Sequence, residues 1–242
     1  ATLSAFLKEP GTALAKGPVA MIFVEDQVEV DSAIRHHLDT GFQSVLALMP
    51  SGFPLAPDVS AAVHRIPFDV AAGDNYVDAV NKVIAAAPGL WLYYCFNAEY
   101  LFFPFCETRT VGEMLAFHAE ERRRGMLTYV IDLYAPDLAR HPDAVSMDEA
   151  MFDRTGYYAL GRPDRQGGWK ERQLDFFGGL RWRFEEHLPP DRRRIDRIGL
   201  FRSAPGLRLE PDHQLNVPEY NTYACPWHHN LTAAVASFRT AK

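Results

Sequence analysis

The run at residues 91–109, WLYYCFNAEYLFFPFCETR, constrains this chain more than any other stretch. Its first half is aromatic and aliphatic, the composition of a pleated and buried surface, and it predicts a central β-strand. Asn97 and Glu99 interrupt it. An unpaired carboxylate in an apolar core costs several kcal/mol or gives up its charge. The two polar residues are therefore expected at the end of the strand, where the sheet opens to a crevice. In open α/β sheets that crevice is where ligands bind.

The segments before it read as the rest of such a sheet. Residues 19–24 form a compact apolar strand that stops at Glu25-Asp26. Val30, Ile34 and Leu38 then recur at helical spacing, and Gly41 closes the helix. Residues 44–49 are a second strand. Strand, helix, strand with short joints is a βαβ unit, so the two strands are expected to be parallel. A third strand is predicted at 63–68, and Asp74 is expected to cap a helix carrying Val77, Val80, Ile84 and Ala87. Residues 1–17 read as an arm with a helical turn at Phe6 and Leu7. The order β, α, β, β, α, β is a half-Rossmann beginning.

After Pro104, Thr110-Val111-Gly112-Glu113 has the form of a capping box ahead of Met114, Leu115 and His118. Residues 127–133 predict a strand with Asp132 near its end. Residues 136–179 show no period and read as a long loop, of the kind that forms a lid or binding loop. Leu231, Val235 and Phe238 suggest a closing helix. The fold class expected is α/β: one domain over 1–242, with a mainly parallel Rossmann-type sheet and helices on both faces.

A chain of 242 residues can bury one large core. Its formal charge of -6 argues against general affinity for nucleic acid. Cys95, Cys106 and Cys225 have no metal-type spacing, and a disulfide framework is not expected. With no basic-then-apolar segment at the start, the chain reads as cytoplasmic. Asn97, Glu99 and Pro104 break the apolar run, so no membrane span is expected.

Several residues carry candidate chemistry. Glu25 and Asp26 stand where a nucleotide's base or ribose is held; alternatively, Asp26 caps the following helix. Neither a G-x-G-x-x-G fingerprint nor a P-loop is present. On a strand, Asn97 and Glu99 face one side together, and an amide beside a carboxylate suits a divalent metal or a sugar. The competing reading pairs Glu99 with Arg109 or another arginine. His36 and His37 are adjacent on a helix and do not converge on one ligand. His213, His228 and His229 are candidates for phosphate contact or metal ligation. Arginines crowd residues 181–208, where they can clamp a diphosphate or stand solvated.

At these residues the chain resembles glycosyltransferase family 2, in its bacterial branch. The matching pieces are Glu25-Asp26, Ile34-Arg35-His36-His37-Leu38 with Gly41-Phe42, and Glu99-Tyr100-Leu101 with Pro104 and Cys106-Glu107-Thr108-Arg109. A further piece is Gly199-Leu200-Phe201-Arg202 with His213 and Trp227-His228-His229. The resemblance implies a GT-A fold, with a nucleotide-binding half at 1–135 and an acceptor-side half at 136–242. It also implies a nucleotide-sugar donor, a divalent metal such as Mn or Mg on an Asp-x-Asp motif, and inverting transfer to the hydroxyl of a glycan or lipid-linked acceptor. The sequence departs from the family at the motif itself, where Phe96 and Ala98 stand in place of its two aspartates. Phe96 cannot ligate a metal.

Three functions follow as expectations. The first is a glycosyltransferase that works with or without a metal. In it Glu25 and Asp26 hold the nucleoside, and Asn97, with Glu99, contacts the donor sugar or a weakly held metal. Arg202, His213 and His228 neutralise the leaving diphosphate, Arg109 and His229 are further nucleotide-binding candidates, and Glu99 or Asp132 is the base. Glu99 and His228 are the metal-ligand candidates. The second is a catalytically inactive nucleotide- or carbohydrate-binding module or partner subunit. The third is a small metal hydrolase built on His213, His228 and His229.

Overall fold

The computed structural model describes residues 2–222 and 231–242. Its elements, in chain order, are α1 (Leu3–Lys8), β1 (Val19–Phe23), α2 (Val30–Asp39), β2 (Ser44–Met49), α3 (Pro57–Ala62), β3 (His64–Pro67), α4 (Tyr76–Ala86), β4 (Trp91–Phe96), β5 (Glu99–Phe102), α5 (Val111–Glu120), β6 (Gly125–Asp132), β7 (Tyr158–Pro163), β8 (Trp169–Phe177), α6 (Gly179–Arg183), β9 (Asp196–Arg202), α7 (Pro218–Asn221) and β10 (Ala233–Ser237). Eight strands form one sheet in the order β3-β2-β1-β4-β9-β6-β10-β5, while β7 and β8 pair as a separate hairpin. Neighbours β3, β2, β1 and β4 are parallel, as are β6 and β10; β9 and β5 run against their partners. The chain is thus α/β with a large, mostly parallel, Rossmann-like sheet.

Local signals explain the first half. β1 and β2 are buried throughout, as uninterrupted apolar strands covered on both faces should be. Val19, Met21 and Phe23 pack on one face with Val80 and Ile84 of α4. Ala20, Ile22 and Val24 pack on the other with Ile34 of α2 and Leu115 of α5. Gly41, with φ of 96°, ends α2 in the left-handed conformation that glycine supplies without strain. The Thr110–Glu113 capping box forms. The α4 cap is Asn75 rather than Asp74, its side chain accepting from the Val77 and Asp78 amides.

Two predictions for the second half are corrected. The closing helix is strand β10, which inserts between β6 and β5; Val235 is fully buried there. The aperiodic loop contains the β7–β8 hairpin.

The sheet also has to curl. Only Asn97 and Ala98 separate β4 from β5, a path of at most ~11 Å from Phe96 to Glu99. Yet β9, β6 and β10 stand between those strands in hydrogen-bonding order, which in a flat sheet is ~19 Å. Curling brings the end of β10 back toward the ends of β1 and β4. No helix among the described residues is long and apolar enough to cross a membrane.

Candidate functional site

β1, β4, β6 and β10 all end on the same edge of the sheet, and the reversed β9 begins there. Within the first half, the chain lays β2 and β3 on one side of β1 and then crosses to β4 on the other. The gap between β1 and β4 is therefore the switch point at which α/β sheets bind ligands. A second gap lies beside it. β4 pairs with β9 only from Trp91 to Tyr93, whereas β9 follows β6 back to Asp196. The turn around His213 fills that wedge, its carbonyl accepting from the Ile198 amide.

Above these gaps is a cleft of about 470 Å³, with Glu25, Asp26, Arg197, His213, Arg239 and Lys242 among its lining residues. Asn97 ties the cleft's floor together. Its Oδ1 accepts from the Glu25 amide (2.9 Å), and its Nδ2 donates to Asp26 Oδ1 (2.7 Å) and to the Val28 carbonyl (2.8 Å). Asp26 does not cap α2: its Oδ1 accepts from the Val28 amide, and the cap position is Glu29, with φ of 51°. Glu25 forms a two-point ion pair with Arg239 (2.6 and 2.8 Å), whose guanidinium also lies 3.3 Å from the Phe96 ring centre. Asp26 pairs with Lys242 at 2.6 Å. Burial opposes ionisation of Asp26, but Lys242 and the Val28 amide hold its carboxyl below the ordinary value.

Glu99 is placed differently from expectation. Asn97 and Ala98 make a turn, with Ala98 at φ of 59°, so the two polar residues do not share a strand face. Glu99 is fully buried. Arg197 donates to both its oxygens (2.8 and 3.1 Å), and the Phe96 amide (2.9 Å) and Ser237 hydroxyl (3.0 Å) occupy the remaining lone pairs. Burial alone would raise this carboxyl, but the charge and hydrogen bonds of Arg197 bring it down to about 2. Arg197, not Glu99, faces the cleft. As arranged, Glu99 is a fixed counter-ion, with no lone pair left for a proton or a metal. Phe96 and Ala98 offer no donor atom either, so the segment does not fit a divalent ion. No group of three His, Cys, Asp or Glu side chains converges among the described residues.

The other candidates divide. His213 lies in the cleft at φ of 63°, stacked against Tyr76 and Tyr94, with its Nδ1 2.8 Å from the Tyr94 hydroxyl. Burial, then the charges of Arg197 and Arg239, push its imidazole well below the ordinary value, so it stands neutral. Asp132 ends β6 next to the cleft, buried and gripped by Arg181 at 2.7 and 3.2 Å. Arg109 is remote from the cleft and pairs with Glu113 on the surface of α5. Arg202 lies at the opposite edge of the sheet, in register with Trp91, and donates to the Gly89 carbonyl. His228 and His229 lie outside the described residues. His37 is buried beside Cys95, its imidazole lowered to about 3 by burial and His36, and it packs in the core.

Sequence reasoning passed over Arg239, Lys242 and Asp191, and took in Arg192 only as one of the arginines of residues 181–208. Asp191 and Arg192 line the cleft on an exposed turn, and neither side chain makes an ion pair or hydrogen bond among the described residues. The Asp191-Arg192-Arg193-Arg194 run was the available signal. No protein-family model matches this chain, and no curated protein matches it.

Proposed function

We propose that the cleft binds a nucleotide-sugar and that the protein transfers the sugar to an acceptor hydroxyl, as a GT-A-fold glycosyltransferase of family 2. The observation that carries this reading is the cleft itself: acidic groups just after β1, beside cations on β9, after β10 and on the Asp191–Arg192 turn, at the switch point of a mostly parallel sheet. Glu25 and Asp26 face the nucleoside, held by Asn97. Arg192, Arg197 and Arg239 neutralise the charge that develops on the leaving diphosphate, the part a metal plays elsewhere. Arg239 stacks on Phe96, at the position where the family carries an acidic residue. Asp191, a cleft carboxylate without a partner among the described residues, takes the acceptor proton more readily than Asp132, whose oxygens are both held.

Calorimetric titration with UDP, GDP, dTDP and ADP, with and without manganese, tests the reading. Micromolar binding without metal is the expected result. Absence of binding by every nucleotide removes the proposal. A second reading has its own support: Glu25, Asp26, Glu99 and Asp132 are all engaged in ion pairs, which suits a binding module. That reading expects nucleotide binding with neither transfer nor donor hydrolysis.

A further inference from the structure

Most of the large apolar side chains that stand exposed among the described residues lie between residues 138 and 184. Three of them are seated on glycines rather than loose: Trp169 over Gly161 on the hairpin, and Trp182 and Tyr157 around α6. Gly156, at φ of 82°, lies under the Trp182 ring, and Gly178 and Gly179 lie under Tyr157; a Cβ at any of the three would collide with the ring above it. These glycines hold two rings in place while leaving Trp182 47% and Tyr157 40% exposed. Burial does not account for such an arrangement, and a rigid face offered to a ligand does. Polar groups alternate with the rings. The Tyr157 hydroxyl donates to the Asp153 carbonyl and the Tyr134 hydroxyl to the Asp153 carboxylate, both at 2.7 Å. Arg183 pairs with Asp153 at 3.1 Å and lies over the Tyr134 and Phe184 rings. The ledge is continuous with the cleft, because the adjacent Arg181 lines the cleft and grips Asp132.

We infer that this ledge is a carbohydrate subsite, on which pyranose rings of a glycan stack their C–H faces on Trp182 and Tyr157 and present hydroxyls to Asp153 and Arg183. A sugar matches an amphipathic surface of this kind, with an apolar face and a rim of hydroxyls. A bilayer does not, since a carboxylate at the centre of the patch opposes insertion and repels anionic headgroups. The assignment of that glycan as the acceptor rests on the transferase reading; the binding itself does not.

The test titrates soluble tetra- to hexasaccharides of glucose, mannose, galactose and N-acetylglucosamine, in α and β linkage, against the full chain. Nucleoside diphosphates and vesicles of phosphatidylcholine with phosphatidylglycerol are run in parallel. At least one series is expected to bind, Trp182→Ala to weaken it about tenfold, and Trp182→Phe to retain it. Trp169→Ala, on the hairpin, and nucleotide affinity in Trp182→Ala serve as the unchanged controls. The inference is overturned if no series binds, if folded Trp182→Ala and Tyr157→Ala bind as well as the parent, or if vesicle binding is what those variants lose. Oligosaccharide binding without nucleotide binding would remove the transferase and leave the subsite. Nucleotide binding without oligosaccharide binding would do the reverse.

Discussion

Replacing Glu99 by glutamine keeps the shape of the side chain and removes the charge that faces Arg197. Both partners are almost fully buried, so the guanidinium would be left in a low-dielectric interior without a counter-ion. Breaking such a pair from one side costs about 3–5 kcal/mol. Against a total of roughly 5–15 kcal/mol for an ordinary domain, that brings the variant close to unfolding. Arg197→Met is expected to cost less, because a buried carboxyl can take up a proton at neutral pH whereas a guanidinium cannot give one up. The double variant Glu99→Leu/Arg197→Met should cost less than Glu99→Gln alone. The pH dependence follows from the same pair. The Glu99 carboxyl sits at about 2 in the fold against an ordinary 4.5, so its contribution is complete above 4.5 and is lost as pH falls toward 2. That contribution is on the order of 3 kcal/mol. Urea unfolding followed by tryptophan fluorescence, at pH 7 and in steps downward, measures both effects. The reasoning is refuted if Glu99→Gln costs less than about 1 kcal/mol, or if it and the parent lose stability in parallel through the acid window.

Asn97→Ala removes the acceptor of the Glu25 amide and three donated bonds, to the Asp26 carbonyl, Asp26 Oδ1 and the Val28 carbonyl; a loss of about 2–3 kcal/mol is expected in the same urea assay. Arg192→Ala, on an exposed turn, should leave stability within about 0.5 kcal/mol of the parent. It should also weaken nucleoside diphosphate binding about tenfold, and more at low salt than at high, by calorimetry. Asp191→Asn should lower the rate of sugar transfer about a hundredfold with nucleotide affinity unchanged, as measured by nucleotide release.

Within the first ninety-six residues the strands, α2 and α4 were legible because their signals are local, whereas the short helix α3 was not expected. β1, β2 and β4 are short apolar runs between turn residues, and α2 and α4 carry their apolar periodicity within a few residues. The second half hides its order in distant partners. Arg162 is buried in the hairpin, balanced by Asp175, Asp196 and Asp212, while Trp169 and Leu160 of the same hairpin are exposed. That pattern inverts what periodicity looks for. The turn was readable, since Asp164 Oδ1 accepts from the amides of Gln166 and Gly168 around a left-handed Gly167. β10 misled for a different reason: Leu231, Val235 and Phe238 fall at i, i+4 and i+7, and only the company of β6 and β5 decides that Val235 belongs to a strand.

Glu99 shows most sharply where sequence proximity fails. Arg109 is ten residues away by number, Arg197 ninety-eight, yet Arg197 is the partner. The short Asn97-Ala98 joint explains why. It forces the sheet to curl, and curling delivers the end of β10 to the mouths of β1 and β4, where β9 already pairs beside β4. Arg197, Ser237, Arg239 and Lys242 can then meet Glu99, Glu25 and Asp26. These contacts differ in what they contribute. The Glu99–Arg197 pair is sealed and bears on folding. Asp26 is 43% exposed while Lys242 is 5% exposed, so their pair stands between a surface contact and a sealed one, and Asp26 keeps an edge that a ligand can reach.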